Sequence, residues 1–145
     1  MLKIGHIAVS VSDLERSIHF YKKAFGFICT NRYPVKSAGL EICILKKDGV
    51  RLELFGFRDF NPLPEYRRNL ESDLNTLGVK HFCLEVADIE ETCNRLRRSG
   101  IELVGDIRIL EEGSRYFFIK DPDGILVEVM ETKHGGKINE ESEEI

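Results

Sequence analysis

The stretch His6-Ile7-Ala8-Val9-Ser10-Val11-Ser12-Asp13-Leu14 is followed 75 residues later by His81-Phe82-Cys83-Leu84-Glu85-Val86-Ala87-Asp88-Ile89. In both stretches a histidine opens an apolar run and an aspartate follows it. The same offset relates seven identical pairs without a gap: His6 and His81, Val11 and Val86, Asp13 and Asp88, Glu15 and Glu90, Asp48 and Asp123, Gly49 and Gly124, and Glu53 and Glu128. Because these pairs include polar and turn residues, the sequence predicts an internal duplication.

Each copy predicts one strand, one helix and then three further strands. The first strands are predicted at residues 4–11 and 79–87, and Asp13 and Asp88 can cap the helices that follow. Gly26 and Gly100 are typical residues at which such helices end. The later strands are predicted at 27–32, 40–46 and 51–57, and at 101–104, 116–120 and 125–131. The Asp-Gly pairs predict hairpin turns, so each copy is a βαβββ unit.

The predicted fold class is α+β, with two tandem βαβββ modules forming a half-open barrel around a metal site. The first module covers residues 1–57 and the second covers 79–132. Residues 58–78, with two prolines and a short possible helix, predict a linker, and residues 133–145 predict a flexible acidic tail. A chain of 145 residues favours one domain overall, here 3–132, because units of half that size bury little apolar surface.

Composition excludes several classes of function. Apolar residues make up 42% and charged residues 32% of the chain, and no apolar run is long enough for a membrane span. The net charge of −4 equals the four glutamates of residues 139–145, and the rest of the chain is close to neutral, so no basic surface predicts nucleic-acid binding. No signal sequence opens the chain, which favours the cytoplasm. The four cysteines, Cys29, Cys43, Cys83 and Cys93, stand singly and are predicted to be reduced and buried.

Four side chains are candidate metal ligands: His6, Glu53, His81 and Glu128. Side chains alternate across a strand, so each module offers one histidine and one glutamate on the sheet face that lies away from its helix, here called the open face. If the two open faces meet, the four side chains converge. Imidazole and carboxylate groups suit one divalent ion per site, namely Ni, Co, Zn, Fe or Mn. Two inward carboxylates without an ion would repel each other, which disfavours a purely structural role.

The motifs that carry a family resemblance cover residues 3–132. They are Gly5-His6-Ile7-Ala8-Val9, Asp13-Leu14, Phe20-Tyr21, Arg51-Leu52-Glu53-Leu54, Lys80-His81-Phe82, Val86-Ala87-Asp88-Ile89 and Phe118-Ile119-Lys120-Asp121-Pro122-Asp123-Gly124, ending at Glu128. The chain resembles the vicinal oxygen chelate superfamily, which includes glyoxalase I, methylmalonyl-CoA epimerase, fosfomycin resistance proteins and extradiol dioxygenases. The resemblance implies the fold and a metal site, whereas members with this scaffold catalyse different reactions.

The set of two histidines and two glutamates is most similar to that of bacterial glyoxalase I. The resemblance implies a metal-dependent lyase or isomerase that chelates vicinal oxygens of a small substrate and moves a proton through an enediolate-like intermediate, with Glu128 or Glu53 as the base. Lys23 lies near the place of a glutathione-binding residue in some relatives, and Arg115 is a candidate contact for an anion. Glu85 shares a predicted strand face with His81 and is either its hydrogen-bond partner or a rim residue.

Two questions of function and assembly stay open in the sequence. The alternatives to a glyoxalase-type enzyme are an epimerase of the methylmalonyl-CoA type and a non-catalytic protein that binds a small molecule such as an antibiotic. The barrel can close within one chain, or module one of one chain can pair with module two of another. The second arrangement predicts a homodimer with two shared sites and is common among the relatives that the chain resembles.

Overall fold

The computed structural model describes residues 1–132. The first half contains β1 (Ile7–Val11), α1 (Leu14–Phe25), β2 (Ile28–Val35), β3 (Leu40–Lys47) and β4 (Val50–Phe57). A connecting segment follows, with a 3₁₀ turn (Glu65–Arg67) and a short helix, α2 (Leu70–Leu74). The second half contains β5 (Phe82–Val86), α3 (Ile89–Arg98), β6 (Leu103–Ile109), β7 (Arg115–Lys120) and β8 (Leu126–Glu131). The predicted acidic tail and His134 lie outside the described residues.

Each half builds one four-stranded mixed sheet with the same topology. The strand order is β1-β4-β3-β2 in the first sheet and β5-β8-β7-β6 in the second. The pairs β1–β4 and β5–β8 are parallel, and the remaining pairs are antiparallel. The predicted fold class, α+β with a repeated βαβββ unit, is therefore confirmed, and both sheets are open rather than closed into barrels.

The helices begin and end where the sequence predicts. The side chain of Asp13 accepts a hydrogen bond from the backbone N–H of Arg16, and Asp88 does the same for Glu91. Each bond satisfies one amide that has no partner within its helix. Gly26 ends α1 in a left-handed conformation (φ 76°) that is costly for residues with a Cβ atom.

One apolar core joins the two halves. It contains the helix-facing residues of both sheets together with the buried residues of α1 and α3; its fully buried members include Tyr21, Leu45, Leu52, Leu54, Ile89, Leu96, Ile119, Val127 and Val129. Glu53 and Glu128, on the open faces, are not members of this core. Among the described residues, no helix is long and apolar enough to cross a membrane.

Polar contacts also bridge the halves. The hydroxyl of Tyr21 donates to Asp121 Oδ2 at 3.2 Å, and Arg95 Nη1 donates to the carbonyl of Ala24 at 2.6 Å. The backbone N–H of Ser12 donates to Asp123 at 2.9 Å. Asp123 belongs to the β7–β8 turn, so this turn is fixed to the first half of the chain.

The first strands of the two modules are shorter than predicted. Strand pairing begins at Ile7, opposite Leu52, and at Phe82, opposite Val127. His6 and His81 lie just before the first paired residues and are outside the strands, although β4 and β8 each begin before the residue with which pairing starts. The strand predicted at 101–104 is instead Leu103–Ile109, because Ile101 packs into the core at the end of α3.

The prediction of four buried thiols is wrong for two of them. All four cysteines are free thiols, but Cys29 and Cys83 are exposed, while Cys43 and Cys93 are buried. Cys29 lies on the edge strand β2, where it contacts Cys43 of β3 with 2.6 Å between the sulfur atoms. Cys83 points to the open face of the second sheet.

Candidate metal centre

The first histidine–glutamate pair lies at the start of β1 and the middle of β4. Glu53 lies between Ala8 of β1 and Ile44 of β3, and it is only 7% exposed although it carries a carboxylate. His6 Nε2 lies 3.9 Å from Glu53 Oε2, and the side chain of His6 is about half exposed. The pair thus lies on the open face of the first sheet, as the strand alternation predicts.

The second pair is tighter and more enclosed. His81 Nε2 lies 3.0 Å from Glu128 Oε2, and Glu128 is 9% exposed. The ring of Phe118, the neighbour of Glu128 on β7, contacts the imidazole edge to face with 5.0 Å between the ring centres. This contact fixes the ring of His81 from one side. The Nδ1 atom of His81 is buried and has no hydrogen-bond partner.

The donor atoms of each pair fit one shared divalent ion. Bonds from such an ion to histidine nitrogen or carboxylate oxygen are about 2.0–2.2 Å long, so two of its ligands can lie about 3–4 Å apart. The separations of 3.0 and 3.9 Å fall in that range. Nitrogen and oxygen donors together favour Zn²⁺, Ni²⁺, Co²⁺, Fe²⁺ or Mn²⁺ over a soft, thiolate-bound ion. Each pair is therefore half of a plausible ligand set.

The two pairs do not meet within one chain. Within residues 1–132, no three His, Cys, Asp or Glu side chains lie close enough together to hold a single metal ion. The shared core joins the helix-facing residues of the two sheets, and neither histidine–glutamate pair belongs to it. The structure thus joins His6 to Glu53 and His81 to Glu128, and the four-ligand site stays a prediction.

An arginine distinguishes the first carboxylate from the second. Arg51 lies two residues before Glu53 on the same strand face, and its Nη2 atom donates to Glu53 Oε1. The residue at the corresponding place in the second module is Leu126, which is buried. Arg51 is not among the residues predicted from the sequence to belong to the site. Its spacing of two residues from Glu53 along a strand is the signal that places both side chains on one face.

A thiol lies beside the second carboxylate. Cys83 of β5 pairs in register with Glu128 of β8, whereas Ala8 holds the equivalent place beside Glu53. Partial burial, the charge of Glu128 and a hydrogen bond to Glu128 together raise the pKa of the Cys83 thiol to about 12. Cys83 is therefore a neutral thiol at neutral pH, and it is no competing anionic ligand.

The predicted substrate contacts do not join the histidine–glutamate pairs. Arg115 binds Glu131 through two of its nitrogens at 2.8 and 2.9 Å and Glu90 through a third at 2.8 Å. By strand alternation it lies on the helix-facing side of β7, away from Glu128. Lys23 is exposed in the last turn of α1. Glu85 is exposed on the open face and makes no hydrogen bond to Nδ1 of His81. Of its two predicted roles, this position agrees with that of a rim residue.

A separate cavity of about 1050 Å³ lies between β1, the connecting segment and the β7–β8 turn. It reaches His81 and Phe82, but its lining does not include His6, Glu53 or Glu128. Asp73, 1% exposed, borders this cavity and is held by Arg67 Nε at 3.2 Å and Lys80 Nζ at 3.5 Å. Of the four candidate metal ligands, only His81 borders this cavity.

Known proteins share this fold and this sequence pattern. The chain is 26% identical over 132 residues to the mitochondrial methylmalonyl-CoA epimerase of Homo sapiens, which covers 88% of this chain and 72% of that protein. It is 26% identical over 141 residues to the lactoylglutathione lyase of Escherichia coli O157:H7, covering 94% and 97%. The solved structure of a glyoxalase family protein from Enterococcus faecalis superposes with a TM-score of 0.76 at 27% identity, covering 88% and 96%.

The duplicated topology, the two histidine–glutamate pairs and these likenesses agree with a match of residues 3–129 to one protein family. That match spans most of the chain. The protein accordingly belongs to the Glyoxalase/Bleomycin resistance protein/Dioxygenase superfamily.

Proposed function

We propose that the protein is a divalent-metal-dependent lyase or isomerase of the glyoxalase type, acting on a small molecule with two adjacent oxygens. The observation that carries this proposal is the pair of equivalent half-sites, each with one histidine nitrogen within 4 Å of one buried glutamate oxygen. Burying two carboxylates is costly unless a cation compensates their charge. A divalent ion would compensate this charge and would also act as a Lewis acid on the substrate.

The proposed active site forms between two chains. The first half-site of one chain faces the second half-site of its partner, so that His6 and Glu53 act with the His81 and Glu128 of another copy. Two exposed aliphatic residues support this arrangement: Ile4 is 82% exposed and Val79 is 84% exposed. Each lies two residues before a ligand histidine, at equivalent places of the duplication. Self-association would cover both, and a two-fold axis would generate two identical sites.

The chain's own residues then have distinct roles in proton transfer. The bound ion would act as a Lewis acid toward two neighbouring substrate oxygens, which makes the hydrogen on the adjacent carbon more acidic. Glu128 is suited to take that proton and return it, because its polar neighbours are His81 and the Cys83 thiol and it pairs with no arginine among the described residues. Phe118, which is buried, covers part of its surroundings. Glu53, held by Arg51, stays in place as a ligand.

An epimerase acting on an acyl-CoA thioester is the second candidate, and the likeness to methylmalonyl-CoA epimerase favours it. Both candidates need the same ion and the same movable proton. A panel of hemithioacetals, acyl-CoA thioesters and keto sugars, assayed with Ni²⁺, Co²⁺, Zn²⁺ or Mn²⁺, separates them by substrate. A protein that takes up no metal yet captures a flat aromatic ligand would instead be a binding protein, and the enzymatic proposal would fail.

Mixed variants test the shared site directly. One variant carries His6→Ala and Glu53→Gln, and the other carries His81→Ala and Glu128→Gln. Each alone has no complete site in either assembly. If two chains share each site, random mixing produces heterodimers with one intact site, and metal uptake returns to about a quarter of the parent value. If each site belonged to one chain, the mixture would stay as empty as the separate variants.

A further inference from the structure

Two basic side chains lie opposite each other on the open face of the first sheet. Arg51 of β4 and Lys46 of β3 are partners in the antiparallel register, and directly opposed residues point to the same face. Glu53 lies on that face two residues further along β4. Like charges directly opposite on neighbouring strands destabilise a sheet, so this pair is costly unless an anion lies between or above them.

The carboxylate of Glu53 satisfies only part of this positive charge. Arg51 Nη2 donates to Glu53 Oε1, but Arg51 Nε is buried and has no partner. Among residues 1–132, Lys46 forms no ion pair with an acidic group; the neighbouring Lys47 pairs with Asp48 at 3.3 Å. Arg51 therefore has an unused Nε–H donor beside the Nη2 that binds Glu53. These two nitrogens form the edge of the guanidinium that can hold a planar anion through two parallel hydrogen bonds.

The second module lacks this basic pair. Leu126 stands in the place of Arg51, and its partner across the hairpin is Lys120, an exposed lysine. The two open faces thus differ in charge although their metal ligands are equivalent. A feature found on one half only is not needed for the fold, because the second half folds into the same sheet without it.

We propose that Arg51 and Lys46 bind a carboxylate of the substrate, next to the two oxygens that the metal chelates. This inference rests on the proposed function. When Glu53 also binds the ion, its charge compensates Arg51 less, and a substrate carboxylate pairs with the unused Nε of Arg51 and with Lys46. The substrate is accordingly a small acid or acid thioester with a carboxylate beside its oxygen pair, and Arg51 is a specificity-determining residue.

The test compares two chelators that differ by one carboxylate. Tartronate and glycolate both offer a hydroxyl and a carboxylate to a metal, and only tartronate has a second carboxylate. Their affinities for the Co²⁺-loaded protein are measured by calorimetry and by the Co²⁺ absorption spectrum. We expect Arg51→Leu, which copies Leu126, to bind tartronate at least about tenfold more weakly, because a charge-assisted hydrogen bond is lost. Glycolate affinity should change less than about twofold.

Control variants separate this role from other effects. Lys120→Met removes the lysine from the equivalent hairpin of the second module and should leave both affinities unchanged. Lys46→Met should weaken tartronate binding alone, and it keeps the test decisive if Arg51→Leu does not fold. Equal losses for both chelators, or no loss, would overturn the inference and leave the proposed function standing. A parent protein that binds no Co²⁺ would refute the proposed function and this inference together.

Discussion

The hydroxyl of Tyr21 on α1 donates a hydrogen bond to Asp121 in the turn after β7, which joins the two modules inside the core. Tyr21 is fully buried, and Asp121 is 4% exposed. Asp121 Oδ1 also accepts the backbone N–H groups of Asp123 and Ile125 at 2.9 Å. The bond therefore ties the helix of one module to the hairpin turn of the other, with the helix-facing sides inward and the histidine–glutamate pairs outward.

Removing this bond should loosen the joined core. We expect Tyr21→Phe to lower the free energy of unfolding by about 1–3 kcal/mol, because one oxygen of a buried carboxylate loses its partner. Urea denaturation measures the change. Tyr66→Phe is the matched control, since Tyr66 is 50% exposed and should lose less than about 0.5 kcal/mol. Equal effects of the two substitutions would contradict a stabilising role for the bond.

The stability of the fold should depend on pH through Asp121. Burial raises the pKa of this carboxyl above its ordinary value near 4, an effect opposed by its hydrogen bonds. Between the unfolded and the folded pKa, the folded chain keeps a proton that the unfolded chain has lost, so this group's contribution to stability falls as pH rises. The parent should thus lose stability relative to Asp121→Asn as pH rises through that window. Chemical denaturation at several pH values measures the difference in unfolding free energy between the parent and Asp121→Asn. A difference that stays constant with pH would contradict the prediction.

Charges at the exposed aliphatic residues should prevent self-association. We expect the double variant Ile4→Glu and Val79→Glu to shift the protein toward the monomer and to lower its metal uptake, because both positions border the half-sites that the partner covers. Sedimentation velocity measures the first effect and elemental analysis the second. Ile109→Glu introduces the same charge at a residue that is 70% exposed on β6 and should change neither. Metal uptake that is complete in a monomer would argue against a shared site.

Metal binding should stabilise the folded protein. An ion that binds only the native state adds about 2.7 kcal/mol at a free concentration one hundred times its Kd. We expect Ni²⁺ or Co²⁺ to raise the melting temperature, EDTA to reverse the rise, and Glu128→Gln to abolish most of it. Glu85→Gln removes an exposed carboxylate from the same sheet face and should keep the full rise. If Glu85→Gln and Glu128→Gln behave alike, Glu128 is no more a ligand than its neighbour.

Much of the fold follows from local patterns. The Asp13 and Asp88 caps, the helix end at Gly26 and the hairpins with Asp-Gly turns are set by hydrogen bonds between residues a few positions apart. These caps, this helix end and these turns are predicted from the sequence and confirmed by the structure. The first strands are predicted to begin too early, because an apolar run does not show where pairing with a strand more than forty residues away begins.

The sequence by itself determined that the protein consists of two βαβββ units and that each unit carries one histidine and one glutamate at equivalent positions. The offset of 75 residues suffices for that. Only the tertiary structure decided that the two histidine–glutamate pairs do not form one site within the described chain, that Arg51 contacts Glu53, and that Arg115 forms ion pairs with Glu131 and Glu90. These features depend on how two separately encoded units pack through one core, and no local periodicity specifies that packing.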